Sequence, residues 1–254
     1  MTSAHPVPAS PATPSPARRP PAPAPPPFSM HDTFLLSQPD GTELTLVRHG
    51  QQQVPTSPVF LPAEWVDPPL SAVGRRQAEL VGQALAAQPV DLVATSHLSR
   101  ARETAEQVAR HHGLSPEVHE DLREVEVFRD LPDGTSPGDA LPEPFWAGVR
   151  ARFPLERRWD LVPFGEGSAE LRQRVVSTIE GLLALHPGSN LVVVCHGGVV
   201  NAYLAHLLGV AEDMFFMPAH TSVSRVRRLG ARRALHSLNE RDHLTGAEPG
   251  LLTY

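Results

Sequence analysis

Several residue types are scarce in this 254-residue chain, and each scarcity excludes a class of chemistry or structure. Lysine is absent, so all 22 cationic side chains are arginines, and a Schiff-base or P-loop lysine is excluded. The single cysteine, Cys195, excludes an intramolecular disulfide framework and fits a reducing compartment. No apolar run approaches the roughly 20 residues that span a bilayer, and the N-terminus lacks the apolar segment of a secretory signal. We therefore expect a cytoplasmic protein with no membrane partner.

Composition and charge favour an ordinary globular domain. The chain is 41% hydrophobic and 20% charged, with a formal net charge of -6, which gives no reason to expect a nucleic-acid partner. Five arginines lie on a predicted C-terminal hairpin without interleaved aromatic residues, and we interpret them as a solvated edge that discourages strand pairing: Arg225, Arg227, Arg228, Arg232 and Arg233. We expect no nucleic-acid partner, and the sequence leaves the oligomeric state open.

Proline is concentrated at the N-terminus, where 11 of the 28 prolines lie between Pro6 and Pro27. Such a stretch cannot bury enough apolar surface to offset its ordering entropy. Residues 1–30 are therefore predicted to be a disordered tail with local polyproline II conformation. A docking ligand for a proline-binding groove and a translation start at Met30 are the alternatives. The folded domain is expected to span residues 31–254.

The rest of the chain alternates short β-rich runs with helical patterns, which is typical of a layered α/β domain. Strands are predicted over Thr42–Val47, Val90–Ala94 and Leu191–Val194, helices over Ser71–Ala87, Ser99–His112, Ser168–Leu185 and Val199–Leu208, and a hairpin over Ser222–Leu229 and Arg232–Leu238. Leu122–Phe128 is predicted to be extended. Residues 130–165, rich in proline, glycine and aromatic residues, are predicted to be an irregular insertion with one short helix.

Two predicted strands end in a histidine followed by glycine, at His49 and at His196. Ligands of α/β sheets gather at the carboxyl ends of strands, so these histidines would face one crevice if the strands are parallel neighbours. The glycines allow close approach of the backbone to a ligand. Arg48 precedes the first histidine, and Arg100 opens the helix after a third strand, where a cation is unfavourable unless an anion is bound. The pattern predicts a phosphate or carboxylate site.

These residues belong to motifs that, in this order, resemble those of the histidine phosphatase superfamily. The motifs are LVRHGQ from Leu46, PPLSAVGRRQAE from Pro68, TSHLSRARETAE from Thr95, LREV from Leu122, FGEGSAELRQRV from Phe164, VVVCHGGVV from Val192 and HTSVS from His220. The resemblance covers nearly all of residues 42–240. It implies a three-layer αβα sandwich with a mostly parallel central sheet, similar to the phosphoglycerate mutases.

The resemblance also implies a role for each matching residue. His49 would be the nucleophile that becomes phosphohistidine, and Arg48, Arg100, His196 and Gly197 would bind the phosphoryl group. Glu124 would protonate the leaving oxygen and then activate water. Glu126 is the alternative acid, because it would share a face with Glu124 in an extended segment. Glu166 matches a family turn and is interpreted as structural, and no metal or other cofactor is implied.

Two differences from the family motifs bear on the reaction and the substrate. The chain reads QQVPTSPVF from Gln52, where the family often continues to a tryptophan and an asparagine. It reads EVEVF from Glu124, where the phosphoglycerate mutases carry an ERxYG-like stretch. Both differences favour hydrolysis of a small phosphate ester. A mutase and a catalytically silent phospho-ligand binding domain remain alternatives. Residues 130–165 are expected to form a cap over the site. Five of its side chains are expected to contact the leaving group: Phe145, Trp146, Arg150, Arg152 and Phe153.

Overall fold

A mixed six-stranded sheet forms the centre of the protein in the computed structural model, which describes residues 30–36, 40–56, 61–132 and 134–254. The strands are β1 (Thr42–Arg48), β2 (Leu92–Thr95), β3 (Glu117–Val118), β4 (Asn190–Cys195), β5 (Val223–Leu229) and β6 (Arg232–Glu240), in the order β3-β2-β4-β1-β5-β6. The pairs β3–β2, β2–β4 and β4–β1 are parallel, while β5 and β6 add an antiparallel edge.

Helices cover both faces of the sheet. They are α1 (Met30–Thr33), α2 (Pro62–Val66), α3 (Ala72–Leu85), α4 (Ser99–Ala109), α5 (Pro137–Ala140), α6 (Glu143–Glu156), α7 (Ser168–Leu185) and α8 (Gly197–Leu208), with 3₁₀ turns at Glu120–Leu122 and Trp159–Leu161. Because side chains alternate along a strand, β4 serves two cores. Val193 packs with residues of α7 and α8, whereas Val192 and Val194 pack with residues of α3 and α4. The predicted three-layer α/β fold with a mostly parallel sheet is confirmed.

The sheet brings two predicted strand ends together. Strands β1 and β4 are parallel neighbours in which Arg48 is paired with Cys195, and the His49 amide donates to the Cys195 carbonyl at 2.9 Å. His49 and His196 therefore leave the sheet at the same level. Cys195 is fully buried and burial raises the pKa of its thiol, in keeping with a core residue.

The prediction of an extended segment over Leu122–Phe128 is confirmed at Arg123, with φ -62° and ψ 157°, but not at its two ends, and the segment forms no strand. Glu120–Leu122 is a 3₁₀ turn, the following residues belong to no strand, and Phe128 has a left-handed φ of 64°. Arg174 of α7 donates to the carbonyls of Asp121 and Arg123 at 2.6 and 2.8 Å. These carbonyls are thus bonded to a side chain instead of a neighbouring strand, so face alternation cannot relate Glu124 to Glu126.

Residues 130–165 carry more helix than their composition predicts. In addition to α5 and the 3₁₀ turn Trp159–Leu161, α6 extends over 14 residues, longer than the short helix expected. The sequence reading also missed α2. The predicted tail lies outside the described residues, apart from Met30. In the part of the chain that is described, none of the helices combines the length and apolar character needed to cross a bilayer.

Candidate active site

His49 lies at the carboxyl end of β1, buried among basic side chains. Its Nδ1 is 2.6 Å from the Gly50 carbonyl oxygen, which can only accept, so Nδ1 carries the ring proton. Its Nε2 accepts from Arg100 Nε at 3.2 Å and therefore holds the lone pair. Burial, followed by the nearby His196 and Arg100, lowers the pKa of His49 well below its ordinary value. The ring is thus a neutral imidazole whose unprotonated nitrogen is hydrogen-bonded to Arg100.

His196 faces His49 from the end of β4, with 4.9 Å between the ring centroids. It is fully buried, and burial followed by Arg100 and Arg48 lowers its pKa well below the ordinary value. Among the described residues, both ring nitrogens of His196 and the Nε of Arg48 are buried without a hydrogen-bond partner. Buried polar groups in native proteins are rarely unpaired, so these atoms indicate a place for an oxygen-rich ligand.

Arg48 is held in place by a chain of contacts that ends at the C-terminus. Its Nη1 donates to the Pro218 carbonyl at 2.5 Å, and its Nη2 donates to Nε2 of His220 at 3.1 Å. His220 then carries its proton on Nδ1, which lies 2.8 Å from Thr253 Oγ1. Burial, followed by Arg48, lowers the pKa of His220 to about 3, so the ring stays a neutral acceptor for Arg48. Burial also lowers the pKa of Arg48 to about 10.

Arg100 reaches the site from the first turn of α4. Its Nη1 donates to the Val66 carbonyl at the end of α2 at 3.0 Å, and its Nε contacts His49. Burial lowers the pKa of Arg100, while Glu124 and Asp67 oppose that shift. Two guanidinium groups therefore flank the neutral imidazole, and their fork-shaped donors match the oxygens of a phosphoryl group.

Glu124 provides the carboxylate of the cluster. Its Oε1 accepts from the amide of Gly198 at 3.0 Å and from its own neighbour Val125 at 2.9 Å. A Cβ on Gly198 would overlap Glu124 Oε1, whereas a Cβ on Gly197 would meet nothing closer than 3.7 Å. The absence of a side chain at Gly198 thus lets the carboxylate sit against the N-terminus of α8.

Glu126 lies in a different environment, although it also borders the cavity. Its carboxylate pairs with Arg123 at 3.0 Å and with Arg129 at 3.4 Å. Glu124 therefore contacts the amide of Gly198, inside the second histidine motif, while Glu126 pairs with cations of its own segment. Of the two carboxylates, Glu124 is the one that opposes the fall in the pKa of Arg48 and of Arg100.

A buried ion pair anchors the segment that carries Glu124. Arg174 pairs with Glu166 through two contacts, at 2.5 and 2.6 Å, and the side chain of Glu166 is fully buried. Besides the carbonyls of Asp121 and Arg123, Arg174 also donates to that of Glu124 at 3.1 Å. The structural interpretation of Glu166 agrees with these contacts.

A cavity of about 680 Å³ opens over this cluster. Five residues of the cluster line it: His49, Arg48, Arg100, Glu124 and Gly197. From the predicted insertion, the lining includes Leu131, Pro132, Gly134, Thr135 and Trp159. The expectation for the five other side chains was wrong: Phe145, Trp146, Arg150, Arg152 and Phe153 are not among the described residues of the lining.

The residues that were predicted to carry the phosphoryl chemistry lie in one cluster: His49, Arg48, Arg100, His196, Gly197 and Glu124. The sequence reading gave no role to His220, Thr253 or Arg174, although His220 opens the HTSVS motif. Trp65 of the unpredicted α2 also borders the cavity. Among the described residues, no group of three or more His, Cys, Asp or Glu side chains is arranged to hold a metal ion.

Comparisons with known proteins identify the class. Residues 44–241 match the model of the histidine phosphatase superfamily (branch 1). A protein named as a probable phosphoglycerate mutase, GpmB of Yersinia enterocolitica, is 30% identical over 66% of this chain and 75% of its own. Phosphoserine phosphatase 1 of Hydrogenobacter thermophilus is 29% identical over 80% of this chain and 94% of its own.

The solved structure of YhfR from Bacillus stearothermophilus shares the fold. It has a TM-score of 0.66 at 24% identity and covers 80% of this chain and 99% of its own. Since the family model spans most of the chain, the protein belongs to the histidine phosphatase superfamily. It is an enzyme of the histidine phosphatase class, and its relatives include both phosphatases and phosphoglycerate mutase-like proteins.

Proposed function

We propose that the protein hydrolyses small phosphate monoesters through a phosphohistidine at His49. The main support for this proposal is the neutral, buried imidazole of His49, whose unprotonated Nε2 accepts from Arg100 and lies beside the unpaired nitrogens of His196 and Arg48. A nucleophilic histidine needs a free ring nitrogen with the other nitrogen held by an acceptor. The Gly50 carbonyl is that acceptor.

The first half-reaction transfers the phosphoryl group to the enzyme. The Nε2 lone pair forms the N–P bond while the bond between phosphorus and the ester oxygen breaks. Glu124, in its protonated form, gives its proton to the departing alkoxide. Arg48, Arg100 and His196 stabilise the equatorial oxygens, and the backbone at Gly197 lies beside them.

The second half-reaction returns the enzyme to its starting state. The Glu124 carboxylate accepts a proton from water, whose oxygen attacks phosphorus, and the N–P bond breaks to release inorganic phosphate. The positive charge comes from arginine, so the proposal includes no metal or other cofactor. The substrate is a small-molecule phosphate ester, and a cytoplasmic location fits it.

We also propose that residues 130–165 cap the site. Five residues of this segment line the cavity that holds His49, and Phe128, just before the segment, packs edge-on against Trp146 at 5.8 Å. The segment thus forms part of the wall that a leaving group would meet. Lid and cap segments of this kind determine which substrates reach a shared reactive group.

A phosphoglycerate mutase is the second candidate, because GpmB of Yersinia enterocolitica carries that name at 30% identity. A mutase would convert 3-phosphoglycerate to its 2-isomer without net release of phosphate. A silent binding domain is less favoured, since a binder needs neither a neutral nucleophile nor an adjacent carboxylate. Isomer analysis of 3-phosphoglycerate reactions separates the mutase from the hydrolase.

The test is phosphate release from a panel of aryl, sugar, glycerate and nucleotide phosphates in the presence of EDTA. Wild type should release phosphate from at least one ester, and His49→Ala should lose about 10³-fold or more in kcat because its nucleophile is removed. Equal activity of both proteins, or conversion of 3-phosphoglycerate without phosphate release, would exclude the proposed hydrolysis.

A further inference from the structure

We infer that the substrate is the phosphate monoester of a bulky, apolar alcohol that carries no second anionic group. This inference rests on the proposed phosphatase function, because it concerns the part of the same cavity that lies beyond the phosphate site. Two features of the cavity wall support it. One is the apolar character of the side chains that form the wall, and the other is the pairing of its arginines with carboxylates.

The wall of the cavity away from the arginine and histidine cluster is largely apolar. Its large side chains are Trp65, Phe128, Leu131, Trp159, Met214 and Met217. Trp159 packs against the buried core, and its ring also lies 5.2 Å from that of Phe153, measured between centroids. Aromatic and thioether surfaces of this kind favour an apolar or aromatic ligand.

The volume of the cavity exceeds what a phosphate with a three-carbon alcohol needs. At about 680 Å³, it lies in the range of pockets that enclose ligands of drug size. A short polar alcohol would leave the apolar wall in contact with water, whereas a large apolar group would remove that wall from water. Burial of apolar surface therefore favours the larger ester.

The wall offers no uncommitted guanidinium for a second anion within the part of the chain that is described. Arg123 pairs with Asp121 at 3.1 Å and with Glu126 at 3.0 Å. Arg129 pairs with Glu170 at 2.8 Å. Glu64 adds an exposed carboxylate to the same wall. A carboxylate on the leaving group would meet neutralised cations and like charge, which disfavours glycerate phosphates.

Matched esters test the inference. The values of kcat/KM are compared for phenyl phosphate, 2-naphthyl phosphate and 4-carboxyphenyl phosphate, with 3-phosphoglycerate as a small anionic ester. The naphthyl ester should exceed the phenyl ester by about tenfold, because its second ring is buried. The carboxyphenyl ester and 3-phosphoglycerate should each fall below the phenyl ester by about tenfold, because the wall leaves their carboxylate unpaired.

Substitutions in the cavity wall test whether the wall causes the preference for the naphthyl ester. Trp65→Ala should lower kcat/KM for the naphthyl ester by about tenfold and for the phenyl ester by about threefold at most. Trp65 is half-buried on the short helix α2, so Trp65→Ala could disturb folding. In that case Met217→Ala serves as the second wall variant, because the Met217 side chain is 54% exposed. Leu155→Ala is the control, because Leu155 is 78% exposed on α6 and is not among the lining residues.

Each unfavourable outcome has a distinct meaning. If 3-phosphoglycerate or the carboxyphenyl ester is preferred and the activity requires His49, the substrate class is wrong while the phosphatase function stands. Equal effects of the wall variants and of Leu155→Ala would likewise overturn the assignment of the wall. If none of the esters releases phosphate in a reaction that requires His49, the proposed function fails and the inference fails with it.

Discussion

At the scale of single residues, the site depends on which nitrogen of His49 carries the proton. The Gly50 carbonyl fixes that proton on Nδ1, and burial beside two arginines keeps the ring neutral. Glu124 is also held by a backbone group, because its Oε1 accepts from the amide of Gly198. Single substitutions at His49 and at Glu124 should therefore separate the role of the nucleophile from that of the acid.

The two candidate acids can be compared by removing one charge at a time. Glu124→Gln should lower kcat for an alkyl phosphate by about 10²- to 10⁴-fold, because the alkoxide then leaves without a proton. The loss should be smaller for p-nitrophenyl phosphate, whose leaving group is stable as an anion. Glu126→Gln should stay within about threefold of wild type for both esters in steady-state assays. A large loss in Glu126→Gln with an active Glu124→Gln would reverse the assignment.

The position of the Glu124 carboxylate can be tested by comparing substitutions at the adjacent Gly197 and Gly198. Gly198→Ala places a Cβ where Glu124 Oε1 lies, while Gly197→Ala makes only ordinary contacts. Gly198→Ala should lower kcat by up to about 10²-fold because the carboxylate is displaced, and Gly197→Ala should change it by about threefold at most. Thermal unfolding of both variants controls for misfolding. Similar kcat values in the two variants would contradict the described position of Glu124.

At the scale of elements, α7 positions the segment that carries Glu124. Arg174 donates to three backbone carbonyls of that segment and pairs with the buried Glu166. The sequence predicted α7, and it predicted Glu166 to be structural. It could not predict that Arg174 replaces strand pairing at Leu122–Phe128, because the two segments lie about 50 positions apart.

Removal of this arginine should affect stability and activity separately. Arg174→Met should lower the free energy of unfolding by roughly 3–5 kcal/mol, because it leaves the Glu166 carboxylate buried and unpaired. Adding Glu166→Gln should restore part of that stability but not kcat, since the carbonyls still lack their donor. Arg152→Met, which breaks an exposed pair with Glu156, should cost less than about 1 kcal/mol in denaturant titrations. Full recovery of kcat in the double variant would contradict the positioning role.

At the scale of the whole molecule, the parallel order of β2, β4 and β1 collects the site at one edge of the sheet. The apolar runs and histidine–glycine endings predicted this arrangement, and the structure confirms the fold. The contact of His220 with Thr253 was not predictable, because it joins a loop to the C-terminus across the fold. Helix α2 was missed because five residues with a leading proline give little periodicity.

The buried histidines should make the protein acid-labile. The pKa of His220 is about 3 in the folded state and about 6.5 in the unfolded chain, so the unfolded state binds more protons between these values. The free energy of unfolding should therefore fall as pH falls below about 6.5. His220→Gln should flatten this dependence by roughly 1 kcal/mol per pH unit in denaturant titrations in phosphate-free buffer between pH 4 and 6. An unchanged slope would contradict a neutral, buried His220.

The central claim is the covalent intermediate on His49, and trapping it is the most direct test. Wild type is mixed with an aryl ester carrying labelled phosphate, quenched within milliseconds under alkaline denaturing conditions, and digested for peptide mapping. The peptide that contains His49 should carry an acid-labile phosphoryl group, and the same peptide of His49→Asn should carry none. Steady turnover without label on wild type, or the same label on His49→Asn, would contradict the central claim.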